Sequence, residues 1–267
     1  MKKVHLILQS KGGVGKSLLT WLLANQFKNE DVLFIDTDES TKTSSRRLNS
    51  FLDEGKSLFF PILNDNKKLE REMFLSMFER IANVEEKTVF VDFGAPESEE
   101  FRKLLEFEID SESLVSELKR INIALVLFIV VAGRDAYLSC MRYYSSMVNL
   151  GNEKIETQLL MNEGTFGGIE AIRLGKENLL VNIGRSDFLT FGDLGDSQSG
   201  KDIINCITEN QTPENLSFAG RLMFRKVMKQ VENFAILPKD EVVEKQETLI
   251  DIIESIEAVQ SNTEENA

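Results

Sequence analysis

Histidine is almost missing from this chain: His5 is the only one in 267 residues. A multi-histidine metal site is therefore impossible, and a Ser-His-Asp triad would have to borrow a residue from the first predicted strand. Cysteine is nearly as scarce. Cys140 and Cys206 exclude a disulfide framework and any four-thiolate metal centre. Four prolines and 16 glycines are too few for a fibrous or disordered chain. Basic charge is in deficit: 31 Lys and Arg stand against 44 Asp and Glu, for a formal charge of −13. That balance argues against wholesale coating of nucleic acid, while leaving room for a local basic patch. Long apolar runs are missing too. The longest, Ile121 to Ala132, is a buried-strand pattern too short to span a bilayer as a helix. The start, MKKVHLILQS, is too short for a signal peptide and lacks a cleavage site, so the expected compartment is the cytoplasm.

What is present is an alternation of strands and helices. Strands are predicted at Val4–Gln9, Val32–Asp36, Thr88–Phe93, Asn122–Val131 and Glu156–Met161, with a sixth at Leu179–Ile183. Helical patterns fill Ser17–Lys28, Leu69–Val84, Ser98–Phe107, Ser113–Arg120, Arg134–Asn149 and Thr165–Lys176. In the second of these, Leu69, Met73, Phe74, Met77, Phe78 and Ile81 share a face. The order implies an α/β fold: a doubly wound, mostly parallel sheet flanked by helices. Residues 184–211 are rich in Gly, Asp and Ser and carry no clear assignment. Two helices are expected after Pro213, at Glu214–Phe234 and Asp240–Val259, followed by a frayed acidic tail. No linker divides the chain, so residues 1–267 read as a single domain.

The segment Ser10-Lys11-Gly12-Gly13-Val14-Gly15-Lys16-Ser17 lies between a predicted strand and a predicted helix, the setting a phosphate-binding loop requires. Its glycines let backbone N–H groups surround phosphate oxygens, and the helix adds its positive dipole end. Lys16 can reach the β- and γ-phosphates, and Ser17 can place its hydroxyl on Mg²⁺. Ser10 stands where the general pattern has glycine. Asp36 and Asp38 end the second strand and Asp92 ends the third. In an open α/β sheet ligands collect at these carboxyl ends, where a carboxylate can hold Mg²⁺ through water.

At KGGVGKS (Lys11 to Ser17), DTD (Asp36 to Asp38) and VFVDFG (ending at Asp92 to Gly94) the chain resembles the ParA/MinD family of deviant Walker A ATPases. The resemblance implies a P-loop NTPase fold that binds and hydrolyses ATP with Mg²⁺ and forms an ATP-dependent sandwich dimer. It implies that Lys11 reaches the phosphates held by the other subunit. Gly12, Gly13, Val14, Gly15, Lys16, Ser17 and Leu18 would form the nucleotide loop. Ser17, Asp36 and Asp92 would support Mg²⁺, Asp38 would activate the attacking water, and Asn162 would read adenine. Departures are plain: Glu39 and Ser40 follow DTD where relatives often have Pro-Gln. Phe93-Gly94-Ala95-Pro96 replaces paired prolines. The nearest equivalent of the family's late Ile-Pro-Arg segment, Val181 to Ser186, has no proline.

Relatives position cargo through a cargo-adaptor or centromere-binding protein, and many bind DNA non-specifically. The resemblance thus points first to plasmid DNA partition, with nucleoid association if DNA is bound. An accessory of conjugation or mobilisation, a MinD-like positioning ATPase, and a small-molecule P-loop kinase or ligase are the alternatives. Arg221, Arg225, Lys226 and Lys229 form the candidate DNA patch, with a solvated helix face as its ordinary explanation. The C-terminal pattern has apolar Leu249, Ile252, Ile253 and Ile256 but is strongly acidic. Anionic lipid would repel it, so packing on its own domain or on a partner is expected instead of membrane recruitment.

Overall fold

A computed structural model describes residues 1–38, 47–66, 68–183, 188–195, 197–232 and 234. Seven parallel strands form one sheet: β1 (Lys2–Leu8), β2 (Val32–Asp36), β3 (Ser57–Phe59), β4 (Thr88–Asp92), β5 (Ile123–Val131), β6 (Glu156–Asn162) and β7 (Leu189–Phe191). Their spatial order is β3-β2-β4-β1-β5-β6-β7. The helices among the described residues are α1 (Lys16–Phe27), α2 (Arg71–Asn83), α3 (Ala95–Phe107), α4 (Ser111–Arg120), α5 (Tyr137–Gly151), α6 (Ile169–Ile183), α7 (Gln198–Thr208) and α8 (Phe218–Val231). Right-handed crossovers place α2 to α6 on one face and α1 on the other. The terminal helices join α1: α8 lies against α1, α7 and β7, whereas α4 and α5 lie against β5.

The central strands are apolar along their whole length because both faces are covered. In β5 every residue but Ala124 is buried. On the α1 side an aromatic layer crosses the sheet, with Phe34, Phe90 and Phe27 stacked and Phe128 beyond them. On the other side the apolar stripe of α2 buries Phe74, Met77, Phe78 and Ile81, as its spacing predicts.

Three readings change. The apolar run Leu179–Ile183 is the end of α6 and not a strand: Leu179 is fully buried, while Leu180 and Val181 face solvent. An exposed apolar pair there imitated a buried strand. The true last strand is β7, inside the stretch left unassigned, and the edge strand β3 has no counterpart among the predicted elements. Both have three residues, too few for a period to show. The helix expected from Glu214 starts later, with a 3₁₀ turn at Pro213–Asn215 and α8 from Phe218. The helix expected at Asp240–Val259 lies outside the described residues. Among the described residues no helix is long and apolar enough to cross a membrane.

The lone histidine is a packing residue. His5 sits between Phe90 and Phe128, each ring centroid 4.8 Å away, and its Nδ1 has no hydrogen-bond partner. Burial, with Lys3 adding repulsion, pushes its pKa down to about 3 from 6.5. The folded state therefore refuses a proton that the unfolded chain accepts below 6.5, so stability falls as pH drops from 6.5 toward 3, by up to about 1.4 kcal/mol per pH unit. His5→Phe removes this contribution. In urea titrations across that window, its stability relative to wild type should rise steadily with acidification; a constant difference would contradict the assignment.

Candidate functional site

The loop between β1 and α1 folds as its glycines require. Gly13 and Gly15 have φ of 75° and 103°, and Gly15 caps α1 in the left-handed conformation. Lys11, Gly12 and Gly13 are exposed, Val14 is buried, and Ser17 and Leu18 are half-buried. The Lys11 backbone N–H donates to Gln9 Oε1 at 3.4 Å. Nothing lies within 4 Å of where a Cβ on Gly12 or Gly13 would stand, so the loop's outer side is open to a ligand.

Lys16 is the opposite of open. It is 8% exposed, and its ammonium donates to the Gln9 carbonyl at 2.9 Å. Burial pushes its pKa down, and the charges of Asp92, Asp38 and Glu97 pull it back up. Those acids arrive from separate elements. Asp36 and Asp92 end β2 and β4 directly opposite each other in register, and both are buried. The Asp38 backbone N–H donates to Asp36 Oδ1 at 3.0 Å, which fixes the turn after β2. Thr37 ties the two strand ends together: its N–H and its hydroxyl both donate to the Asp92 carbonyl, at 3.0 and 3.1 Å.

Glu97 escaped the reading of the sequence. It lies in the first turn of α3, is 1% exposed, and is the third acid acting on Lys16. Gly94 makes room for it: a Cβ there would collide with Glu97 Oε2 and stand 3.1 Å from Asp38 Cγ. A carboxylate one helical turn past a strand-end Asp-x-Gly was the available signal. Arg47 also escaped; burial lowers its pKa and nearby Asp92 opposes the shift.

Beside the loop opens a cavity of about 510 Å³. Gly13, Gly15, Leu18 and Asn162 line one side, and Gly192 and Leu194 after β7 line another. The α7 residues Gln198, Lys201 and Asn205 complete it. Asn162 ends β6 and is 3% exposed; its Nδ2 donates to the Val14 carbonyl at 2.8 Å, while its Oδ1 is buried without a partner. Gly192, with φ of 77°, lets the β7 loop approach: a Cβ there would be 2.5 Å from Asn162 Oδ1.

Two walls of this cavity are tied to α8. Gln230 Nε2 donates to Glu163 Oε2 at 2.7 Å, and its Oε1 accepts from the Asp193 N–H at 3.3 Å. Lys226 pairs with Asp193 at 2.5 Å, and Lys176 with Glu163. Of the four cations singled out on α8, Lys226 is therefore engaged inward, and Arg221 donates to the Leu216 carbonyl at 2.6 Å. Arg221, Arg225 and Lys229 are exposed and do not line the cavity. The structure thus assembles Lys11 to Leu18, Asp36, Asp38, Asp92 and Asn162 beyond the carboxyl ends of β1, β2, β4 and β6, and leaves Arg221, Arg225 and Lys229 elsewhere.

Among the described residues no three His, Cys, Asp or Glu side chains form a metal cage. Mg²⁺ needs none, because it is held by one or two carboxylates with waters and phosphates. The hard oxygen donors of Ser17, Asp36 and Asp92 fit that habit.

No family model matches the chain. Protein TraL of Escherichia coli is 27% identical over 255 residues, covering 89% of this chain and all of TraL. The MinD cell division protein of Aquifex aeolicus superposes with a TM-score of 0.53 at 14% identity, over 91% of this chain and 99% of its own. A Borrelia burgdorferi B31 protein described as a plasmid partition protein, solved with AMPPNP, gives 0.50 at 14% identity, over 86% and 98%. The chain has the P-loop NTPase fold of MinD and the ParA-like proteins.

The approach of Asn162 to the loop is testable without a ligand. A Cβ on Gly15 would collide with Asn162 Nδ2 in a left-handed backbone. Gly15→Ala should lower the unfolding free energy by about 1–3 kcal/mol. Adding Asn162→Ala should recover only part of it, because the backbone strain remains; full recovery would contradict that strain.

Proposed function

We propose that this chain is a ParA/MinD-type ATPase whose nucleotide state controls its pairing with a second copy. The observation that carries this is the buried Lys16 ammonium, set behind an open glycine loop and faced by Asp38, Asp92 and Glu97. The continuous buried core around one sheet supports reading residues 1–267 as one ATPase domain.

In this reading the triphosphate lies on the N–H groups of Gly12 to Ser17 at the start of α1. Lys16 exchanges the Gln9 carbonyl for β- and γ-phosphate oxygens, a charge-assisted contact that offsets the loss of its present partner. Ser17 holds Mg²⁺, with Asp36 and Asp92 behind it; the ion, when bound, neutralises phosphate charge. Asp38 orients a water for in-line attack on the γ-phosphorus, the bond to the bridging oxygen breaks, and ADP and phosphate result. The base enters the cavity, where the buried Asn162 Oδ1 accepts from the 6-amino group of adenine; the 6-oxo group of guanine would set an acceptor against it. Lys11, exposed at the loop, reaches the triphosphate of the facing copy. Hydrolysis removes the charge that both lysines neutralise, and the pair loosens.

Lys16→Ala should weaken ATP binding by about 10- to 100-fold in calorimetric titration. Lys11→Ala should bind ATP normally yet stay monomeric by light scattering with a non-hydrolysable analogue. Asp38→Ala should hold the dimer in ATP and lower turnover by about 10²- to 10⁴-fold. A wild-type monomer in both ADP and the analogue would remove the paired state.

The cargo proposed first is plasmid DNA, through an adaptor or centromere-binding protein in the cytoplasm. A conjugation or mobilisation accessory is the second reading, favoured by the full-length match to Protein TraL. Retention on duplex DNA over a salt series separates direct DNA binding from adaptor-only recruitment. Contacts from Arg221, Arg225 and Lys229 should give a steep salt slope that shrinks by about one per cation removed.

A further inference from the structure

A second cavity, of about 460 Å³, opens at the β3 edge of the sheet, between that strand and α2. Small-molecule sites occupy about 300–1,000 Å³. It shares no residue with the cavity beside the glycine loop. Its walls are apolar: Leu33 and Ile35 of β2, Phe60 after β3, and Met77 and Ile81 of α2 line it, and all five are buried. Leu58, on the three-residue β3, is 44% exposed and forms part of the mouth.

One charge stands in this apolar setting. Positions 77, 80, 81 and 84 share a helical face, so Arg80 interrupts the apolar stripe of Met77, Ile81 and Val84 and lines the cavity with them. Its guanidinium lies over the Phe60 ring, 5.4 Å from the centroid. Arg71, Arg102, Arg120 and Arg173 each pair with a glutamate. Arg80 pairs with no carboxylate among the described residues, although acids outnumber bases in the chain and Glu79 is its neighbour. The negative end of α2 does not oppose an anion here, because Lys2 Nζ donates to the Ile81 and Val84 carbonyls, each at 2.6 Å.

We propose that this cavity binds a free amphipathic monocarboxylate, its acyl chain against Leu33, Ile35, Met77 and Ile81 and its carboxylate on the Arg80 guanidinium. A planar guanidinium matches a carboxylate through two parallel N–H···O bonds. The single cation selects a single charge: Glu79, Glu85 and Glu86 lie close by in sequence and would repel a headgroup that carries more. The guanidinium already rests on Phe60, so less side-chain freedom is lost when the ligand arrives. The cavity backs onto the strand that ends at Asp36: Ile35 lines it, and the Phe60 N–H donates to the Asp36 carbonyl at 2.9 Å. Binding here requires no nucleotide.

The probe is decanoate, titrated calorimetrically into the full chain at neutral pH, with decanol as its uncharged counterpart. One decanoate should bind per chain, and affinity should fall about fourfold for each methylene removed down to octanoate. Arg80→Met keeps an apolar stem on an exposed position; it should weaken decanoate at least about tenfold and leave decanol within about twofold. Val84→Trp fills the mouth from a half-buried position and should weaken both. Binding that does not saturate, or several decanoates per chain, would overturn the proposal. So would decanoate affinity indifferent to Arg80→Met, or binding that survives Val84→Trp and therefore lies elsewhere. Co-sedimentation with phosphatidylserine vesicles, without binding of free decanoate, would assign the Arg80 mouth to a lipid surface and overturn the free ligand.

Discussion

An ammonium taken out of water must be given oxygen in return. Lys16 is nearly enclosed, and what it has is one carbonyl, that of Gln9, together with the field of three carboxylates. The carbonyl belongs to the segment leaving β1, and the carboxylates come from the turn after β2, the end of β4 and the first turn of α3, so no local stretch of sequence provides this balance. It exists only when the parallel sheet sets the ends of β1, β2 and β4 side by side. The strand register, the Thr37 bridge and the missing Cβ of Gly94 are all conditions for holding one charge. Such an arrangement is costly without a ligand and suited to an anion that brings several oxygens at once.

Much of this was legible in the residues. Strand ends at Asp36 and Asp92 followed from apolar runs that stop at an acid, and the glycine loop lies between strand and helix where its pattern put it. Helix α2 was readable because its apolar residues recur on one face and are buried there. What could not be read depended on neighbours distant in sequence. Glu97 had a local signal in its place one turn past Asp92-Phe93-Gly94, but the approach of Asp38 from the turn after β2 is a distant contact that no spacing contains. The stretch around Gly192, rich in Gly, Asp and Ser, carried no clear assignment. Gly192 answers a packing demand: the β7 loop comes so close to Asn162 there that a side chain would not fit. Leu179–Ile183 misled through exposed Leu180 and Val181, since composition alone does not tell a helix with an apolar outer side from a buried strand.

The cavity beside the glycine loop and α8 share a frame. Gln230 holds the loop after β6 through Glu163 and the loop after β7 through Asp193, and Lys226 adds an ion pair to the second. A helix that closes two walls of a cavity on its inner side and presents cations on its outer side is placed to feel events on both. Energetic coupling of this kind requires two arrangements of one element, and α8 is the candidate element here.

The most direct measurement is a crystal structure of the chain with Mg²⁺ and a non-hydrolysable ATP analogue. The account predicts the triphosphate on residues 11–17, Lys16 Nζ moved from the Gln9 carbonyl to phosphate oxygens, and the base beside Asn162 Oδ1. A nucleotide bound elsewhere, or a Lys16 still bonded to Gln9 with the loop filled, would contradict it.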